Sequence, residues 1–260
     1  EQVLAFESAP CFALHLAADD TKHAKVLRLA VGEHIAVVDA VSNYFECEVV
    51  SFEGDELSVS IAQKLSSYAR PEVVLVQGLA KGEKMDTIVR HATEVGIAEF
   101  VPMTTSRSVV KLDAKKSKAR FERWASIAKS AAMQSGRSSK PVVHAPCSVV
   151  GAVDIAKDCD AVLICWEEAE LSNTLAKAVS CCIATTGKDP RSLRIALVVG
   201  PEGGLTAQEV DLFLALPYAY SISLGPSILR TERLGSLLRL WRYMSLRCVH
   251  EGIGGKPWLQ

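Results

Sequence analysis

The chain has no large excess of charge of either sign, no long apolar run and no CxxC pair of cysteines. Its 260 residues carry a formal net charge of -1, so any contact with nucleic acid requires a local basic patch. No apolar run approaches the length of a membrane span, and the opening EQVLAFESAP lacks the basic-then-apolar pattern of a signal peptide. These absences predict a cytoplasmic protein without a membrane partner.

The eight cysteines are scattered and form no CxxC pair, so neither a zinc ribbon nor a disulfide framework is expected. We interpret them as reduced thiols in the core. Four isolated histidines also lack the spacing of metal ligands and are interpreted as structural: His15, His34, His91 and His144. The sequence therefore predicts no metal site.

A change of pattern near residue 70 divides the chain. Before it, alternating apolar and polar residues broken by turn residues predict antiparallel strands at 35–39, 44–52 and 57–62. After it, continuous apolar runs alternate with helical patterns, which is typical of a buried parallel sheet. These runs are 73–76, 100–101, 161–165, 195–199 and 221–224. The predicted organisation is a small β domain at 1–69 and an α/β domain at 70–260.

The stretch LVVGPEGGLTAQEV, residues 197–210, ends an apolar run in Gly-Pro-Glu-Gly-Gly. A turn from strand to helix needs at most one glycine with positive φ, so the additional glycines predict a close approach to the main chain. Thr206 and Glu209 form a capping-box pattern, which places the loop between a strand end and a helix start, where α/β sheets bind ligands. The loop lacks the Gly-Lys-Ser/Thr ending of a phosphate loop and the spacing GxGxxG. From these residues alone, a tight connection without a ligand is equally compatible.

A second strand end is built in the same way, because SLGPSILRTE, residues 223–232, also runs from an apolar strand into Gly-Pro. The chain further contains KGEKMDTIVRHATEVG at 81–96, SRSVV at 106–110 and AMQSGR at 132–137. Together with GPEGG, these segments present six motifs in the order found in the 16S ribosomal RNA uracil-N3 methyltransferase family of the SPOUT class. The chain resembles that family from about residue 23 to residue 232.

The resemblance implies a fold that periodicity alone does not predict. The catalytic domain is expected to be an α/β, SPOUT-type parallel sheet whose C-terminal segment forms a trefoil knot, and the N-terminal domain a PUA-like β-barrel that binds RNA. The resemblance also implies a homodimer that acts on 16S ribosomal RNA or the small ribosomal subunit, with S-adenosyl-L-methionine as cofactor. The implied cofactor-binding residues lie in the two strand-end loops: Val199, Gly200, Pro201, Glu202, Gly203, Gly204, Leu224, Gly225, Pro226, Ile228, Leu229 and Arg230.

The implied reaction places a methyl group on N3 of a uridine. That nitrogen carries a proton between two carbonyls, so a cation near the carbonyl oxygens would favour loss of the proton and stabilise the anion. Arg230 is the first candidate for this catalytic cation, and Arg137, which follows a helix stop at Gly136, is the second. The alternative for either arginine is to complement a helix dipole. For Glu202 an electrostatic or loop-fixing role is expected rather than proton transfer, and no general base is assigned.

Basic residues are concentrated in one segment. Seven of them within seventeen positions predict a phosphate-contacting face, with a solvated helix face as the alternative. They are Arg107, Lys111, Lys115, Lys116, Lys118, Arg120 and Arg123. The residues predicted to bind RNA are Arg107 and Lys111 from this segment, Arg137, and His23, Lys25 and Arg28 from the β domain.

Beyond Glu232 the chain departs from the family pattern, because Arg233 and Gly235 stand where a small polar residue and an alanine-rich helix are usual. An apolar stripe on the predicted last helix would pack against a second subunit or against the chain's own core. Its members are Leu234, Leu237, Leu238 and Trp241. Two other functions stay open: a SPOUT ribose 2'-O-methyltransferase, which needs no deprotonated base, and a non-catalytic RNA-binding module.

Overall fold

The computed structural model describes residues 2–5, 11–41, 43–65, 71–137 and 139–225. The chain divides into two compact units, Glu1–Tyr68 and Ala69–Gln260, next to the change of pattern near residue 70. Among the described helices, none is long and apolar enough to cross a membrane.

The described part of the first unit is an antiparallel sheet with one helix. Its elements are β1 (Phe12–Leu14), α1 (Ala18–Leu27), β2 (His34–Val38), β3 (Tyr44–Glu53) and β4 (Glu56–Leu65). The strands lie in the order β1-β4-β3-β2, and the alternating residues of β3 and β4 form the core of the unit. The three predicted strands are confirmed. β1, with three residues, is too short to show an alternating pattern in the sequence.

The second unit alternates strands and helices. Its elements are β5 (Glu72–Gly78), α2 (Lys84–Val95), β6 (Glu99–Thr104), α3 (Ala114–Gln134), β7 (Val142–Val143), β8 (Cys147–Ser148), α4 (Val149–Ala156), β9 (Ala161–Cys165), α5 (Leu175–Thr186), β10 (Arg194–Val199), α6 (Ala207–Leu214) and β11 (Ala219–Ile222). Each of the five predicted parallel strands corresponds to one of these strands, and helices lie between them as the alternating pattern predicts.

The strands of this unit form one parallel sheet in the order β11-β9-β10-β5-β6-β7, with β8 also pairing with β6. Because all strands run the same way, their ends define two edges. The carboxyl edge holds the ends at Gly78, Thr104, Cys165, Val199 and Ile222. The amino edge holds the starts at Glu72, Glu99, Ala161, Arg194 and Ala219. Ligands of open α/β sheets bind at the carboxyl edge.

Helices cover both faces of the sheet, which explains why its strands are apolar throughout. In β5, Val73 and Leu75 pack on the face covered by α2, α3 and α5, whereas Val74 and Val76 pack on the face covered by α4 and α6. Neither face is left for solvent, so alternation of polar and apolar residues is absent.

A buried carboxylate joins α2 to α3. Asp86 accepts hydrogen bonds from Arg123 Nη2 at 2.6 Å and from Trp124 Nε1 at 3.1 Å. Trp124 also packs edge-on against Phe100, with ring centroids 6.4 Å apart. Arg123, one of the seven clustered cations, therefore contributes to the packing of these two helices.

The described cysteines are free thiols. Burial raises the pKa of the Cys47 thiol to about 11 and that of Cys165 to about 12, so both are thiols at neutral pH. Cys11 and Cys181 are exposed, and the prediction that every cysteine lies in the core is wrong for these two. The expected knot and the apolar stripe at 234–241 involve residues after Gly225, which lie outside the described residues.

Candidate active site

The Gly-Pro-Glu-Gly-Gly loop lies at the carboxyl edge, between β10 and α6. Helix α6 begins with the predicted capping box, in which the side chain of Thr206 accepts from the Glu209 amide and the Glu209 carboxylate accepts from the Thr206 amide. The loop closes on itself, because a Cβ on Gly200 would lie 2.7 Å from the carbonyl carbon of Gly204. Gly204 has a φ of 69°. The turn itself therefore requires two of the glycines.

Gly78, at the end of β5, brings a neighbouring strand against the loop. A Cβ on Gly78 would lie 2.5 Å from both N and Cδ of Pro201. Gly78 was not among the predicted site residues. In the sequence, Gly78 only follows the strand-like run VVLVQ, and a glycine stands at the end of many ordinary strands.

Arg107, in the turn after β6, also reaches the loop. Its Nη1 donates to the carbonyl oxygens of Gly203 at 2.9 Å and Leu205 at 3.2 Å. The same nitrogen lies 3.7 Å from Oε1 of Glu167, which follows β9. A Cβ on Gly203 would lie 3.2 Å from the Cβ of Arg107. The close approach predicted at Gly203 is thus made by this arginine.

Glu209 binds the same turn. Its Oε1 accepts from the Ser106 amide at 2.7 Å, while its Oε2 accepts from Thr206. Burial opposes ionisation of this carboxyl, but the hydrogen bonds from the Ser106 and Thr206 amides hold its pKa below the ordinary value. The buried carboxylate is therefore ionised at neutral pH and ties the turn after β6 to the start of α6.

Glu202 joins the loop to the segment after β5. Its carboxylate accepts from the Lys81 amide at 3.1 Å and from Lys84 Nζ at 2.9 Å. Burial opposes ionisation, yet Lys84 and the backbone donors lower the pKa of Glu202. These contacts favour the expected loop-fixing role over proton transfer, because a carboxylate with a lowered pKa is a weak base.

We refer to the charged side chains that hold residues 200–206 as the loop network: Arg107, Glu167, Glu202 and Glu209. These side chains lie after the ends of β6, β9 and β10 and at the start of α6. Glu202 also contacts the segment after β5 through the Lys81 amide. Residues more than a hundred positions apart in sequence thus converge on one loop.

The second predicted loop lies two strands away. Val199 of β10 and Ile222 of β11 both pair with Cys165 of β9, so the two strand ends are separated by about 10 Å, twice the usual strand spacing. Gly225 has a φ of 100°, and a Cβ there would meet no atom of the described residues within 4 Å. The predicted cofactor residues 199–204, Leu224 and Gly225 therefore lie at the carboxyl edge. Pro226, Ile228, Leu229 and Arg230 lie outside the described residues.

Arg137 lies at the other edge of the sheet. Its Nη1 donates to the carbonyl oxygen of Thr93 at 2.9 Å, in the last turn of α2. Helix α2 starts after the end of β5 and ends just before β6 begins, so its last turn lies at the amino edge. The structure does not bring Arg137 to the glycine loop of the same chain, and the contact fits the alternative of a cation at a helix end.

The other residues predicted to bind RNA are exposed. Lys111 lies in the segment that leads into α3. In the first unit, His23 and Lys25 belong to α1, and Arg28 ends that helix with a φ of 53°. Lys25 Nζ also lies 2.5 Å from a carboxylate oxygen of Asp55. Among the described residues, no group of three or more His, Cys, Asp or Glu is placed to bind a metal ion.

The sequence model of the RNA methyltransferase domain family matches residues 68–233, more than half of the chain. Among individual proteins, the chain is 33% identical over 229 residues to ribosomal RNA small subunit methyltransferase E of Bacillus subtilis, with 87% of each chain covered. The chain belongs to the ribosomal RNA small subunit methyltransferase E family. The family predicted from the six motifs is confirmed.

Solved structures of methyltransferases share the fold. A methyltransferase from Legionella pneumophila with bound S-adenosylmethionine is 25% identical with a TM-score of 0.71, covering 92% of this chain and 94% of that one. The small subunit methyltransferase E of Neisseria gonorrhoeae, also bound to S-adenosylmethionine, has a TM-score of 0.73 with the same coverage. At 22% identity the second shows the fold alone. The predicted α/β class with a parallel sheet is confirmed.

Proposed function

We propose that this member of the family transfers the methyl group of S-adenosylmethionine to N3 of a uridine in 16S ribosomal RNA. One observation carries the proposal: the glycine loop of the family motif lies at the carboxyl edge of the sheet and is fixed there by charged side chains. The relatives are named as ribosomal RNA small subunit methyltransferases, which supports the RNA substrate. The Legionella protein was solved with S-adenosylmethionine bound, which supports the cofactor. Such an enzyme acts in the cytoplasm, on ribosomal RNA or on the small subunit.

The residues at the carboxyl edge fit this cofactor. The ends of β10 and β11 are about 10 Å apart, and the end of β9 lies between them. Main-chain amides and carbonyls of the glycine loop are groups that can bind an adenine edge. We assign binding to 199–204, 224–226 and 228–230. Bound there, S-adenosylmethionine supplies an electrophilic methyl group.

The chain's own residues orient the uracil and stabilise its anion. Arg230, which directly follows the second loop in sequence, is assigned the role of the cation that stabilises the negative charge on the uracil carbonyls as N3 loses its proton. Glu202 is held by Lys84 and fixes the loop. Arg137 is assigned to the end of α2 within its own chain, where its hydrogen bond to Thr93 anchors the helix.

The finer features of the architecture belong to the same proposal. The first unit is a PUA-like domain that binds RNA through His23, Lys25 and Arg28, and its antiparallel sheet supports that assignment. On the second unit, Lys111 is assigned to phosphate contact. As the family resemblance implies, the trefoil knot is assigned to the C-terminal segment, and the enzyme is proposed to act as a homodimer.

The test is incubation of the full chain with deproteinised 16S ribosomal RNA, or with assembled small subunits, and labelled S-adenosylmethionine. Nucleoside analysis should recover the label in 3-methyluridine. Label in a 2'-O-methylated ribose would establish the rival methyltransferase instead. No transfer to either substrate, with no cofactor binding by calorimetry, would leave an RNA-binding module.

Arg230→Ala tests the catalytic assignment. Because Arg230 is proposed to act when the uracil anion forms, turnover should fall by about a hundredfold or more while the affinities for cofactor and RNA stay within about twofold. A variant that loses only cofactor affinity would assign Arg230 to binding.

A further inference from the structure

Arg107 was predicted to contact RNA, but its guanidinium is turned onto the glycine loop. Nη1 donates to two carbonyl oxygens of that loop, those of Gly203 and Leu205. A group that contacts phosphate needs only a positive charge near the RNA, whereas two carbonyls that flank Gly204 require a donor at one defined position.

Glu167 forms an ion pair with this guanidinium. Its Oε1 lies 3.7 Å from Arg107 Nη1. Its Oε2 and Oε1 also lie 2.8 and 3.0 Å from where a Cβ on Gly204 would be. The carboxylate therefore lies directly against the glycine whose peptide the arginine helps to orient.

The turn that carries Arg107 is itself fixed. The amide of the preceding residue, Ser106, donates to Glu209 at 2.7 Å, and Ser108 Oγ accepts from the Thr105 amide at 3.1 Å. Arg107 thus extends from a held turn to a loop that has three glycines in five residues. A loop with so many glycines has a large conformational freedom of its own, so external hydrogen bonds are needed to hold one shape.

We infer that Arg107 is a positioning residue for the cofactor: with Glu167 it fixes the peptide groups of 203–205 in the conformation that binds S-adenosylmethionine. The inference rests on the proposal that this loop holds the cofactor. Arg107 acts through the loop and need not touch the cofactor. Its contribution is pre-organisation, so that cofactor binding does not have to order the loop.

Arg107→Lys separates this role from phosphate contact. Lysine keeps the charge, but its amine lies one bond closer to the backbone and cannot reproduce the guanidinium contacts. The dissociation constant and KM for S-adenosylmethionine should rise about tenfold or more, while kcat at saturating cofactor and the affinity for 16S ribosomal RNA stay near those of the wild type. The melting temperature should change by less than about 4 °C. Unchanged cofactor affinity would overturn the inference.

Matched variants supply the controls. Lys111→Gln removes an exposed cation from the same segment and should weaken RNA binding without changing cofactor affinity. Glu167→Gln should raise the cofactor dissociation constant, whereas Glu168→Gln, at the adjacent exposed carboxylate, should not. If Arg107→Lys proves unstable, the comparison of Glu167→Gln with Glu168→Gln tests the inference instead. Equal cofactor affinities for those two variants would overturn it.

Gly203→Val distinguishes failure of the inference from failure of the proposed site. Its branched side chain would meet Arg107 and occupy the face of the loop. Loss of cofactor binding in Gly203→Val with normal binding in Arg107→Lys would overturn the positioning role alone. Normal binding in both variants would overturn the assignment of the loop as the cofactor site, and the inference with it.

Discussion

The two edges of the parallel sheet use charged residues differently. At the amino edge, one cluster consists of charged side chains that bind each other: Arg194 contacts Glu72 at 3.0 Å and Glu99 at 2.5 Å, and His144 contacts Glu99 at 2.8 Å. At the carboxyl edge, the loop network binds main-chain groups, as in the contacts of Arg107 and Glu209 with amides and carbonyls.

This difference separates two uses of charge. Ion pairs between side chains on neighbouring strands hold the strands together and do not change the backbone conformation that strand pairing sets. Charges that bind the backbone of a loop select one loop conformation among many, because a glycine-rich segment has little preference of its own. The cluster at the amino edge therefore stabilises the fold, while the loop network at the carboxyl edge shapes the glycine loop that we propose as the cofactor site.

The largest expected effect comes from Gly78→Ala at the carboxyl edge. Its methyl group would lie 2.5 Å from two atoms of the Pro201 ring, which cannot move aside as a flexible side chain would. The free energy of unfolding should fall by about 3 kcal/mol, and cofactor affinity should fall with it. Denaturant titration and calorimetry measure both.

Gly151→Ala in α4 is the control for that substitution. The nearest atom to its methyl group would be Cys147 Cβ at 3.2 Å, and alanine favours a helix over glycine, so the change should stay within about 1 kcal/mol. Equal effects at the two glycines would contradict the close contact between Gly78 and the loop.

Glu99→Ala breaks the network at the amino edge. The side chain of Glu99 is 13% exposed and binds both Arg194 and His144. Its removal leaves Arg194 without one of its carboxylates, so the free energy of unfolding should fall by about 2 kcal/mol. Cofactor affinity should not change. A marked loss of cofactor affinity in the folded variant would show that the two edges do not have separate roles.

Acid should weaken the amino edge through the same residue. Burial opposes ionisation of Glu99, but His144 and Arg194 hold the pKa of its carboxyl below the ordinary value of 4.5. A lowered pKa contributes stability above the unfolded value, and the contribution is lost as the pH falls from about 4.5 through the folded value.

Glu99→Gln measures that contribution. The variant should be less stable than the wild type by about 1 kcal/mol at pH 7, and the difference should shrink as the pH falls below 4.5 because the wild-type carboxyl becomes neutral. A difference that stays constant down to pH 3 would assign the effect to packing.

Local patterns predict the elements of the fold well. The apolar run 161–165 matches β9, and the capping box starts α6, because each signal lies within a few neighbouring residues. The position of the glycine loop at a strand end follows from the same reasoning.

Contacts that join distant segments are not visible in one sequence. Lys81 and Glu202 are 121 positions apart, and Arg107 and Gly203 are 96 apart. The glycines were correctly interpreted as sites of close approach, but Gly200 and Gly203 meet Gly204 and Arg107 of the chain itself. A turn with too many glycines indicates crowding and does not identify the neighbour.

The most direct test of the account compares two charge-conserving changes, Arg107→Lys at the carboxyl edge and Arg194→Lys at the amino edge. The measurement is the dissociation constant for S-adenosylmethionine by calorimetry, with the melting temperature of each variant recorded beside it. The account predicts a rise of about tenfold or more for Arg107→Lys with little change in melting temperature, and a lower melting temperature with unchanged cofactor affinity for Arg194→Lys. Wild-type cofactor affinity in Arg107→Lys, or equal losses of affinity in both variants, would contradict it.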